Sequence, residues 1–112
     1  MMVDAKLEKE VDLLHTRICS GFADPKRVLI LYALNERPLC VKDISEALHL
    51  SQPTTSRHLR VLRERGLVHT ERKGTSVYYS LSDVRLIEAL DLLRGVLASQ
   101  LADEADLARS LS

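Results

Sequence analysis

A chain of 112 residues, 46% hydrophobic and 29% charged, has the size of one folded domain and too much apolar character to remain disordered. Its 16 basic and 16 acidic side chains cancel, so the overall charge excludes no class of partner and only its distribution is informative. There is no run of about 18 apolar residues and no signal-peptide pattern, because Met1 leads into "VDAKLEKEVD"; this predicts a soluble, cytoplasmic protein with no membrane partner. Cys19 and Cys40 are too few for a secreted disulfide framework but enough for one redox pair.

Val3, Leu7, Val11, Leu14 and Ile18 recur at intervals of four and three, which predicts an amphipathic helix within residues 1–22. Asp24-Pro25 opens a second helix, since aspartate caps and proline loses nothing in the first turn. "VLILYAL" is apolar on every side and predicts a centrally buried helix, ended where Pro38 pushes Arg37 out of the helical region. A short helix over residues 41–48 would turn Ile44, Ala47 and Leu48 inward. After the turn "HLS", Ser51 caps a helix over residues 52–65, with Pro53 in its first turn and Gly66 as its stop. Two helices joined by so short a turn form a helix-turn-helix over residues 41–65.

Residues 67–71 and 76–81 are β-rich and flank "RKGT", which predicts a hairpin over 67–81 with Gly74 at its tip. A hairpin in that place is a wing. Ser82-Asp83 then signals a last helix within residues 83–112, with Leu86, Leu90, Leu93, Leu97 and Leu101 on one stripe. Ile87, Leu92 and Val96 widen that stripe beyond what one small domain can cover. The fold expected is mainly α with a two-stranded β-wing, a single winged helix-turn-helix domain over 1–112. Four helices precede the hairpin and one follows it, and residues 1–22 and 83–112 supply a homodimer interface.

The charge is lopsided. Arg57, Arg60, Arg63, Arg65, Arg72 and Lys73 are opposed between residues 52 and 75 only by Glu64 and Glu71, which leaves +4 there and −4 elsewhere. At about 100° per residue, Thr55, Ser56, Leu59 and Leu62 fall on the inner face of the fourth helix. Thr54, Arg57 and Arg60 fall outward, with His58 on the flank. Hydroxyl, imidazole and guanidinium groups at the start of such a helix suit base edges and phosphates in a DNA major groove. Arg72, Lys73 and Thr75 at the hairpin tip would reach the adjacent backbone or minor groove, while Arg63 and Arg65 read as structural. A winged-helix protein-interaction module is the alternative, but it has no need of cations on both helix and wing. No phosphate-binding Gly loop, Cys-x-x-Cys or His-Glu-x-x-His supports an enzyme, and Tyr78 and Tyr79 read as packing residues.

"FADPKRVLILYAL", "LCVKDISEALHLSQPTTSRHLRVLRERGLV" and "RKGTSVYYSL" resemble the arsenic-repressor (ArsR/SmtB) family of prokaryotic transcriptional regulators over about residues 15–100. The resemblance implies a homodimeric winged-helix repressor that binds a palindromic operator and releases it on sensing a metal, metalloid or oxidant. It places recognition at Gln52, Thr54, Thr55, Arg57 and His58, and the wing at 72–75; Ser51 at the cap and Arg60 on the outer face complete the expected DNA-binding set. In many members the third helix begins with a Cys-Val-Cys box. Here Cys40 matches the first cysteine and Lys42 replaces the second. At a second family site, on the last helix, Asp83 matches the first ligand, but Arg85, Val96 and Ser99 replace the others.

Three readings of the thiols stay open. His15 and Cys19, four apart on one helix, would ligate a soft metal or metalloid ion together with Cys40. Cys19 and Cys40 would form a disulfide or polysulfide link in response to an oxidant or reactive sulfur. Or neither senses anything, with Cys19 a small buried hydrophobe and His15 polar surface.

Overall fold

The computed structural model describes residues 2–112. Helix α1 (Ala5–Leu13) starts where the Asp4 carboxylate accepts the Leu7 N–H at 2.8 Å. The expected single helix does not run on through Ile18. A π turn (Leu14–Ile18) and a 3₁₀ turn (Cys19–Phe22) replace its C-terminal half. Two hydroxyls accompany the change: Thr16 donates to the Asp12 carbonyl at 2.9 Å and Ser20 to the Thr16 carbonyl at 2.6 Å, back-bonding that bends helices. The rewound segment brings Gly21 against the core so closely that a Cβ there would lie 2.5 Å from Leu67 Cδ1. The Arg27 guanidinium then ties the turn down, donating to the Gly21 and Ser20 carbonyls at 2.9 and 3.0 Å.

Helix α2 (Pro25–Glu36) begins with the Asp24 cap on the Lys26 N–H and ends at an extended Arg37, both as the sequence predicts. It buries Ile30, Leu31 and Leu34, but Leu29 is half exposed, so the all-round apolar helix keeps one face open. A two-residue strand β1 (Leu39–Cys40), absent from the sequence reading, leads into α3 (Val41–Leu48). In α3 Ile44 is buried and Leu48 half-buried as expected, whereas Ala47 is exposed and Ser45 takes the second inward place. His49 closes α3 in the left-handed region at φ 56°, which turns the chain sharply into α4 (Gln52–Glu64).

The wing follows as β2 (Val68–Lys73) and β3 (Ser76–Leu81), paired antiparallel from Val68↔Leu81 to Lys73↔Ser76. Gly74 occupies the two-residue turn at φ 63°, a conformation such turns demand and glycine adopts without strain. β1 joins the outer edge of β3 through Leu39↔Tyr79 and Cys40↔Tyr78, so the sheet has three strands in the order β1-β3-β2. Helix α5 (Arg85–Leu111) completes the chain.

One core unites these elements. Ile30 and Leu31 of α2, Ile44 of α3 and Leu59 and Leu62 of α4 have no exposed surface, and Leu86, Ile87 and Leu90 of α5 close over them. From Asp91 onward every residue of α5 is exposed, among them Leu92, Leu93, Val96, Leu97, Leu101, Leu107 and Leu111. Val3, Val11, Leu13 and Leu14 of the N-terminal arm are open too. Among the described residues no helix is long and apolar enough to cross a membrane.

Candidate nucleic-acid interface

A polar contact inside the core joins α3 to α4. Thr55 has no exposed surface; its hydroxyl donates to the Ser51 carbonyl at 2.9 Å and accepts from the Ser45 hydroxyl, 3.0 Å away on α3. No buried side-chain nitrogen or oxygen among the described residues lacks a partner. Thr55 is thereby corrected: its inward placement by helix geometry holds, and its placement by resemblance among the recognition residues does not. Ser45, on the same inward face as Ile44, is the partner that apolar periodicity alone leaves unseen.

The outer face of α4 carries Gln52, Arg57 and Arg60, all exposed, with Thr54 half-exposed beside them. The Ser51 hydroxyl is engaged as the helix cap, accepting the Thr54 N–H at 3.2 Å and lying 2.9 Å from the Thr54 hydroxyl. Arg57 Nη2 donates to Thr54 Oγ1 at 3.2 Å, which steadies the guanidinium over the first turn of the helix. A steadied planar fork loses less freedom on meeting a base edge or phosphate. His58 is half-buried toward the start of α2. Burial holds its imidazole below the ordinary value, against the pull of Asp24 and with the help of Arg27, Lys26 and Arg57. That shift favours the uncharged, hydrogen-bonding form.

At the hairpin, Arg72, Lys73 and Thr75 are exposed, and Lys73 Nζ sits 5.7 Å from the centre of the Tyr78 ring. The ion pairs among the described residues are Arg85–Asp83, Arg94–Asp91 and Arg109–Asp106. None of them neutralises a cation of α4 or the wing. The basic surface therefore stays available to an external anion.

The sensing candidates are not assembled. Cys19 is an exposed free thiol in the 3₁₀ turn, which corrects its reading as a buried hydrophobe, and Cys40 is a half-buried free thiol at the N-cap of α3. Among the described residues no group of three or more His, Cys, Asp or Glu side chains could hold a metal ion, so His15, Cys19 and Cys40 do not form a three-ligand set within one protomer. The family's α5 site does not fit either. Arg85, standing at a ligand position, donates its backbone N–H to Asp83 at 2.9 Å and its guanidinium at 2.7 Å.

Those bonds, first from the guanidinium and then from the backbone, lower the Asp83 carboxyl from its ordinary value to about 2. A depressed carboxyl favours the folded state above the unfolded-state value, about 4, and that contribution fades as pH falls toward 2. The pair is exposed to solvent, so the effect belongs to local titration rather than global stability. Side-chain NMR titration is expected to find Asp83 half-protonated near pH 2, and to move it upward in Arg85→Ala. An unshifted titration in the variant would show that the guanidinium does not hold the carboxylate in solution.

The family model described as bacterial regulatory protein, arsR family, matches residues 24–70, the stretch from the cap of α2 into β2. NmtR, an HTH-type transcriptional regulator of Mycobacterium tuberculosis, is 45% identical over 71 residues, 63% of this chain and 59% of its own length. The chain thus spans little more than half of that relative. The crystal structure of NolR from Sinorhizobium fredii superposes with a TM-score of 0.74 at 30% identity, over 86% of this chain and 95% of that one. A possible ArsR-family regulator of Mycobacterium bovis, solved as a homodimeric winged helix-turn-helix DNA-binding domain, gives 0.75 at 26% identity, over 88% and 90%. Helix order, hairpin and α3–α4 motif agree with these matches, and the chain belongs to the arsR family of bacterial regulatory proteins.

Proposed function

We propose that the protein binds double-stranded DNA as a homodimer and represses transcription from a palindromic operator. The observation that carries this reading is the uncompensated cationic surface of α4 and the wing in an electrically neutral chain. Gln52, Thr54, Arg57 and Arg60 read bases, Ser51 and His58 support the first turns of the helix, and Arg72, Lys73 and Thr75 engage the flanking backbone. The exposed apolar faces of α1 and α5 supply the dimer, and twofold symmetry dictates two half-sites about one helical turn apart. The homodimeric DNA-binding domain from Mycobacterium bovis supports the same assembly.

Release of the operator is assigned to the thiols rather than to a metal. Among the described residues of one protomer His15, Cys19 and Cys40 form no three-ligand set, while Cys19 is exposed and Cys40 stands at the start of the helix-turn-helix. Oxidant or sulfane sulfur linking the two would pull the 3₁₀ turn toward α3. HlyU from Vibrio cholerae, 32% identical to this chain and solved in a reduced form, supports the thiol reading.

Fluorescence anisotropy with a duplex enriched from a random-sequence library tests the reading. Arg57→Ala is expected to weaken binding by about 1–3 kcal/mol and relax base preference, and Lys73→Ala to reduce the salt slope by about one. Wild-type affinity in both variants at every salt concentration would refute the interface. In the same assay Cys19→Ser and Cys40→Ser should each stay bound under polysulfide, and normal release by either would exclude the paired switch.

A further inference from the structure

Two hydrogen bonds between side chains join separate α-helices among the described residues. Ser45–Thr55 locks α3 to α4, and the second links α2 to α5: the Tyr32 hydroxyl donates to Asp91 Oδ1 at 2.6 Å. Arg94 completes the second cluster, its Nη1 3.3 Å from the same oxygen and its guanidinium carbon 5.3 Å from the centre of the Tyr32 ring. The place of this cluster is informative. Asp91 directly follows Leu90, the last buried residue of α5, and marks where the helix leaves its own domain and becomes exposed. Tyr32 directly follows Leu31 on α2, the helix whose Ile30, Leu31 and Leu34 pack in one core with Ile44 of α3 and Leu59 and Leu62 of α4.

Apolar contacts between α2 and α5 hold the helices together without fixing their rotation, because hydrophobic attraction has no preferred direction. A phenol O–H on a carboxylate does have one, and at this solvent-exposed site the bond sets orientation while adding little to global stability. With Arg94 bonded to the acceptor and stacked on the donor's ring, the cluster resists rolling of α5 on α2. We propose that Tyr32, Asp91 and Arg94 form a strut that fixes the DNA-reading helix-turn-helix relative to the dimer helix, and so sets which half-site spacing the dimer accepts. The inference rests on the DNA-binding reading above. These are positioning residues that touch no DNA.

The test compares affinity for the library-enriched duplex with that for duplexes carrying one base pair more or fewer between half-sites, a rotation of about 34–36°. The parent is expected to lose about tenfold or more on either altered duplex. Tyr32→Phe, which removes only the hydroxyl, should compress that ratio to about twofold while remaining dimeric in sedimentation with an unchanged Tm. Asp91→Asn keeps an acceptor and should retain most of the ratio; Asp91→Ala should lose it. Parental spacing selectivity in Tyr32→Phe would overturn the proposal, as would dissociation of that variant into monomers. Failure of the parent to enrich any duplex would instead refute the DNA-binding reading itself.

Discussion

Replacing Leu93 and Leu97 together by glutamate is expected to convert the protein into a folded monomer that binds operator DNA about 10²–10⁴ times more weakly. Both residues are more than half exposed, at 60% and 53%, and lie beyond the point where α5 leaves its own core. Nothing in the protomer depends on them, so circular dichroism should show the helix content of the parent. Each glutamate would carry a charge into the surface proposed to receive a second copy, and an unpaired carboxylate excluded from water is costly enough to prevent association. Loss of association separates the two recognition helices. The second half-site then becomes an independent binding event, and the gain from linkage disappears. Sedimentation velocity and anisotropy on the same samples read both effects. A variant that remains dimeric would place the interface elsewhere, and a monomer with undiminished affinity would remove the need for two half-sites.

Leu59→Ala should act at the opposite level, on stability with little direct effect on recognition. Leu59 has no exposed surface and sits on the inner face of α4, among Ile30, Leu31, Ile44 and Leu62. Truncation removes three carbons from that contact and leaves a cavity that rigid neighbours on α2 and α3 cannot fill. The expected loss is about 3 kcal/mol in urea unfolding, with Tm falling by about 10–15 °C at matched protein concentration. DNA affinity measured well below the transition should stay within about threefold of the parent, because the outer face of α4 is unchanged. Arg57→Ala has the reverse signature, weak binding on a stable fold. A stable Leu59→Ala, or one that binds no DNA while fully folded, would contradict this division of α4 into a packing face and a reading face.

Much of this architecture is legible in the residues. Asp24-Pro25, Ser51, Gly66 and Gly74 punctuate the chain through local chemistry, and the structure places helix starts, stops and the hairpin turn where those residues demand. Leu59 and Leu62 follow from the helical repeat. Features set by distant parts of the chain are not legible. The rewinding after Leu13 carries Gly21 against Leu67, far away in sequence, and an uninterrupted apolar stripe cannot signal that contact. Strand β1 has two residues and exists only because β3 offers an edge. Thr55 illustrates two inferences in conflict. Helical geometry turns it inward, resemblance turns it outward, and its bonds to Ser45 and Ser51 favour geometry. For the remaining interface the cationic residues are visible from charge, whereas their freedom from ion pairs is a property of the folded chain.

The π turn at Leu14–Ile18 amounts to one supernumerary residue spliced into a helical run. Excising a residue there would restore ordinary winding and swing the preceding arm through about 100° around its axis. Leu13 and Leu14, which line a groove with Leu86 and Ala89 of α5, would fall out of phase with those neighbours. A single-codon insertion or deletion in this short stretch would thus re-aim the apolar face of the arm while leaving the sequence of α4 untouched.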